Sequence, residues 1–174
     1  SIGADYGTPA LGGTNHFYKM AFDVVKYTPL IYDTRFAIRA RYGFTEGVGG
    51  TPIPLTERFF VGGINTMRGF VFGRAGPVTP SGSLLGSAKE LIFNNDFIFT
   101  ISSEAKLNGV LFFDYGTGVD DNESIDISKL RKAVGFEARW ISPFGPLRAA
   151  YGINLEPRPT ERRGVFEFTI GSLF

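Results

Sequence analysis

Few side chains of this 174-residue chain suit covalent chemistry. Cysteine is absent, which removes disulfide frameworks, thiolate metal sites and thiol nucleophiles together, and His16 is the only histidine. A Ser-His-Asp arrangement would have to use His16, which sits at a loop-to-strand edge where ordinary surface is the simpler reading. No constellation of metal ligands is visible, and the Gly62-Gly63 pair lacks the following helix of a phosphate loop or dinucleotide fingerprint. Two carboxylates, Asp96 and Asp114, fall on one parity of neighbouring strand-like segments, where a pair could divide acid and base roles. Arg68 follows a glycine-rich stretch and precedes Gly69, so the backbone can turn tightly and present a guanidinium from a loop tip. Such a fork bonds carboxylates bidentately and stays charged when partly buried; the plain alternative is a solvated loop charge. The chain is therefore read as a non-enzyme without cofactor or metal.

The elements that would position these residues are strands. With 18 Phe, 7 Tyr and 23 Gly, the composition favours strands and tight turns. Lys plus Arg (18) and Asp plus Glu (17) balance, which argues against an electrostatic nucleic-acid binder. Alternation at period two runs through most of the sequence. Phe36, Ile38, Ala40, Tyr42 and Phe44 oppose Arg35, Ala37, Arg39, Arg41 and Gly43, and Val134, Phe136, Ala138 and Trp140 oppose Ala133, Gly135, Glu137 and Arg139. Eight strands are predicted, over residues 1–6, 17–27, 34–44, 89–100, 109–118, 130–141, 147–155 and 164–174. Their lengths are mostly near the ~9 to 11 residues of a tilted membrane strand. Short connections at 28–33 and 142–146 contrast with longer polar ones at 7–16, 119–129 and 156–163. Residues 45–88 form a long Gly- and Pro-containing loop with few strand signals, and a loop of that size usually has a function.

Alternation alone is compatible with a soluble barrel or sandwich, but the sign of the faces discriminates. The apolar parity is strongly aromatic, while its opposite carries Arg35, Arg39, Arg41, Glu90, Asp96, Asp114, Arg131, Glu137, Arg139, Arg148 and Glu167. An all-β, antiparallel, up-and-down transmembrane barrel, greasy outside and charged within, fits that segregation. The first residues, SIGADYG, have neither a basic start nor an apolar core, so a secretion signal is expected to be removed or upstream.

Four motifs then carry a resemblance. Residues 58–70 read RFFVGGINTMRGF, with Gly62, Gly63, Met67, Arg68, Gly69 and Phe70 in a GG-x-x-x-[VM]-RGF pattern. Phe112, Asp114 and Gly116 fit F-x-D-x-G; residues 140–147 read WISPFGPL; and residues 166–174 read FEFTIGSLF, an aromatic-terminated ending through Phe166, Phe168, Gly171 and Phe174. In this order they resemble the BamA-type outer-membrane protein assembly factors and span most of the chain. The resemblance implies a 16-stranded barrel preceded by POTRA domains, with residues 1–174 supplying strands 9 to 16 and the 45–88 loop lying between strands 11 and 12. It also implies that the loop folds into the lumen and that Arg68 meets Asp96 and Asp114 as inward acidic partners.

Localisation is accordingly expected in the bacterial outer membrane. The expected partners are outer-membrane lipids and, for the parent protein, unfolded outer-membrane proteins and accessory lipoproteins, but no nucleic acid. The expected action is folding and insertion by strand templating; the alternatives are a small structural or pore-forming barrel, or a two-partner secretion transporter. Gly171 in the last strand either faces a crowded lumen or weakens the strand so that it unpairs and offers an edge. Trp140, Tyr151 and Phe174 fit an interfacial girdle or plain lipid-facing packing. Taken alone, the eight strands could close by pairing 1–6 with 164–174, expelling the loop from a narrow lumen and stripping Arg68 of its partners; a dimer through the same edges is the competing assembly.

Overall fold

The computed structural model describes residues 2–7 and 17–171. Its eight strands are β1 (Ile2–Gly7), β2 (Phe17–Pro29), β3 (Arg35–Gly47), β4 (Lys89–Ser102), β5 (Leu107–Val119), β6 (Arg131–Ser142), β7 (Gly145–Asn154) and β8 (Gly164–Ile170). They form one sheet in chain order, every neighbouring pair antiparallel. Short turns at 30–34, 103–106 and 143–144 mark one end, and the loops at 48–88, 120–130 and 155–163 mark the other.

The register fixes which side chains share a face. Asn94 lies opposite Asp114, Asp96 opposite Phe112, and Asp114 opposite Ala133, so the charged parity of β4, β5 and β6 forms one inner wall. The outer parity leaves Ile38, Phe97, Leu111, Phe113, Phe136, Trp140, Tyr151, Phe166 and Phe168 exposed. Such an apolar face is rare on a soluble monomer and suits contact with lipid.

Three expectations are corrected. Among the described residues β1 and β8 share no ladder, so the sheet is an open one rather than a closed eight-stranded barrel. The 45–88 loop is not expelled: it lies on the inner face of that sheet and packs a core against it. Val61, Met67, Phe70 and Ala75 are buried against Ile92 and Ala133 of the wall. The loop is also ordered by antiparallel bridges between Phe59 and Ser87 and between Val78 and Leu84. Finally, β8 ends at Ile170, and Gly171 sits just beyond it at φ +93° rather than inside the strand. Its N–H still donates to Pro146 O at 2.8 Å, and a Cβ there would meet no described atom within 4 Å, so crowding does not account for it. The last expected strand residues, including Phe174, lie outside the described residues, as does His16.

Candidate functional site

The loop reaches the wall through a tight turn. Gly63 N donates to Met67 O at 3.0 Å, Thr66 N donates to Gly63 O at 3.0 Å, and Gly62 N donates to the Thr66 hydroxyl at 2.9 Å. Both glycines have positive φ, as does Gly69 at +84°. These backbone angles aim Met67 into the sheet and Arg68 along it. Glycines on the inner parity make the seat: Gly152 lets the loop backbone rest directly on β7, and Gly116 and Gly118 leave room for Met67, Val61 and Ser87.

Arg68 is 3% exposed, and its donors meet three carboxylates on three successive strands. Nε donates to Asp114 Oδ2 at 2.9 Å and Nη2 to Asp114 Oδ1 at 2.7 Å, the bidentate fork. Nη2 also reaches Asp96 Oδ1 at 2.6 Å, and Nη1 reaches Glu137 Oε2 at 2.6 Å. The backbone N–H of Arg68 adds a bond to Asp114 Oδ2 at 3.0 Å. Beneath the fork lies Phe112, its ring centroid 4.0 Å from the guanidinium carbon, a cation–π contact in a buried site.

Two further arginines complete the charge balance. Arg139 donates to Asp96 Oδ2 at 2.6 Å and to Glu137 Oε1 at 2.9 Å, while Arg148 donates to Glu137 Oε1 at 2.5 Å. Arg148 returns to the loop through Ile64 O at 3.0 Å, and Asn94 donates to Thr66 O at 2.8 Å. Asp96, Asp114 and Glu137 thus face Arg68, Arg139 and Arg148, three charges of each sign. Every carboxylate oxygen in the set accepts from an arginine.

A second contact lies nearer the loop end. Arg131 forks onto Glu161, with Nη1 to Oε1 at 2.8 Å, and Nη1 also donates to Arg74 O at 3.0 Å. Burial would push the Glu161 carboxyl up, but its bonds from Arg131 and the Arg158 N–H outweigh that and hold it below the usual carboxylate range.

The loop motif, Phe112, Gly116, Asp96 and Asp114 are all brought together by this packing. Phe166 and Phe168 are not: they point outward from β8, away from the loop. Glu137, Arg139 and Arg148 were visible only as inward charges. A sharper signal was available in the register, because Arg139 lies directly opposite Arg148 and like charges so placed require a carboxylate between them.

Residues 1–174, the whole chain, match the Omp85 superfamily domain. The chain belongs to the Omp85 superfamily. This Omp85 chain is 34% identical to the outer membrane protein assembly factor BamA of Nitratidesulfovibrio vulgaris, an alignment covering 98% of the chain and 22% of that protein. With BamA of Neisseria meningitidis serogroup B the identity is 24%, over 99% of the chain and 26% of that protein. The chain therefore spans about a quarter of these relatives. A crystal structure of BamA from Haemophilus ducreyi lacking POTRA domains 1-3 shares the fold, with a TM-score of 0.80 at 22% identity, covering 98% of this chain and 37% of that one. The Omp85 chain is accordingly assigned to the outer membrane, its open sheet sharing the fold of a transmembrane β-barrel.

Proposed function

We propose that this Omp85 domain is the C-terminal half of a sixteen-stranded barrel, strands 9 to 16, that folds and inserts outer-membrane proteins without covalent catalysis. The observation that carries this reading is the seating of Arg68: within a loop of over forty residues lying on the inner wall, one guanidinium is shared among three strands. A wall braced in this way keeps its shape while the last strand, β8, changes partner. Backbone N–H and C=O groups along the edge of β8, which has no second neighbour among the described strands, would template an incoming strand by β-augmentation, the outer aromatic face holding the sheet in lipid. Gly171, unencumbered at φ +93°, lets the chain bend away immediately after the strand. Phe166, Phe168 and Phe174 then belong to the terminal signal of the gate, Asp96 and Asp114 to the lock of the loop. Unfolded outer-membrane proteins are the substrates, and accessory lipoproteins act through the parts of a parent protein beyond these residues.

A chimera tests this. The matching region of Nitratidesulfovibrio vulgaris BamA is exchanged for these 174 residues and reconstituted in proteoliposomes. It is expected to accelerate folding of a urea-unfolded outer-membrane barrel, read by heat-modifiable mobility on a gel. A chimera that inserts and folds yet leaves the substrate at its lipid-only rate refutes the reading.

A further inference from the structure

The loop and the hairpin that carries β8 face one another across a cavity of about 290 Å³, lined by Phe70, Val71 and Arg74 on one side and Thr160, Glu161 and Arg162 on the other. Deeper on the wall the loop also meets the strands of this hairpin, Gly69 on Gly152 and Arg148 on Ile64 O, whereas at the cavity itself the link runs through one ion pair. Arg131, the first residue of β6, stands between the two segments. Its guanidinium carbon lies 4.6 Å from the centroid of Phe70, next but one to Arg68, and it donates to Arg74 O. Its fork closes on Glu161, and both side chains are only 8% exposed. Glu161 gathers the rest of the hairpin, accepting from Asn154 Nδ2 at 3.1 Å and from Arg158 N at 2.9 Å. Asn154 N in turn donates to Arg163 O at 2.8 Å, immediately before β8. A bidentate pair this buried is strong, geometrically specific and little screened by salt.

We propose that Arg131 and Glu161 are positioning residues that couple the Arg68 loop to the hairpin of the edge strand, so that opening at β8 and withdrawal of the loop occur as one event. This deepens the assembly reading, on which its purpose rests, and assigns the pair a role separate from the Arg68 cluster.

The test is a double-mutant cycle read by hydrogen–deuterium exchange on the chimera in nanodiscs. Glu161→Gln is expected to raise exchange at both 70–74 and 155–163, roughly tenfold, as loss of one charge-assisted contact would give. Arg68→Lys, milder than removal of the cation, should raise exchange at 155–163 when Glu161 is present and add nothing there when it is Gln. Retained heat-modifiability of each variant controls for folding. Additive effects, or no response of 155–163 to Arg68→Lys, would overturn the coupling. The substrate-folding rate separates the two claims: an inactive chimera with a non-additive cycle refutes the assembly reading and supports the latch, whereas an active chimera with an additive cycle refutes the latch alone.

Discussion

Gly69 rests on Gly152: a Cβ built on Gly152 would stand 2.4 Å from the Gly69 nitrogen and 2.5 Å from its Cα. Backbone meets backbone there, and the depth at which Arg68 enters its cluster follows from that contact. Gly152→Ala should lift the loop off β7 at a cost of about 1 to 3 kcal/mol, the usual range for overpacking. Limited proteolysis within 62–75, compared with Gly3→Ala, whose Cβ meets nothing, would check it; equal protection in both variants would show that the contact is slack.

Removing the cation itself is more severe. Arg68→Ala leaves Asp114 and Glu137, both 0% exposed, short of a partner, and breaking such buried pairs costs ~3 to 5 kcal/mol. Arg68→Lys keeps the charge but cannot hold the Asp114 fork while reaching Asp96 and Glu137, so an intermediate loss is expected. Thermal loss of heat-modifiability should rank wild type above Lys above Ala. Equal midpoints for all three would mean that the loop, not its arginine, supplies the stability.

Acid should release the hairpin through Glu161. Its folded carboxyl is held below the ordinary value, so its contribution is complete above the unfolded pKa of ~4.3 and disappears as pH falls through the folded one. The cations facing it are Arg131 and Arg158. Protease nicking at 155–163 is therefore expected to stay constant from neutrality down to the ordinary carboxylate range and to rise below it, with Glu161→Gln flattening the profile. A rise already between pH ~7 and ~5 would assign the release to a different group.

The two faces should be chemically distinguishable. Cysteines at Ile38, Phe136 and Phe168 should react with a lipid-restricted reagent, and cysteines at Arg39, Glu137 and Thr169 should not. Equal labelling of both sets would contradict the membrane orientation of the sheet.

Strand identity and facing were legible because a membrane barrel separates apolar from charged residues at period two, and β6 illustrates it, expected over 130–141 and found over Arg131–Ser142. The seat of the loop was not. Ile92, Ile98, Val110 and Phe112 face inward and interrupt the polar parity, since they pack against a segment whose position alternation does not encode. Gly43 and Gly152 stand on the inner parity too, but a glycine in a sequence does not say whether it leaves space for Phe59, as Gly43 does, or for another backbone. Closure was misjudged for a different reason: strand count fixes the sense of the two edges, while strand tilt, stagger and curvature decide whether they meet.

The Arg68 cluster also imposes an order in time. Its carboxylates lie 28, 46 and 69 residues further along the chain, on β4, β5 and β6. The arginine precedes all of them, so its charge has no compensating pocket until three later strands have found their register. Seating of the loop is thus a late, high-contact-order step whose entropy cost falls only after the sheet exists. A docked Arg68 therefore requires that β4 to β6 have already paired in register.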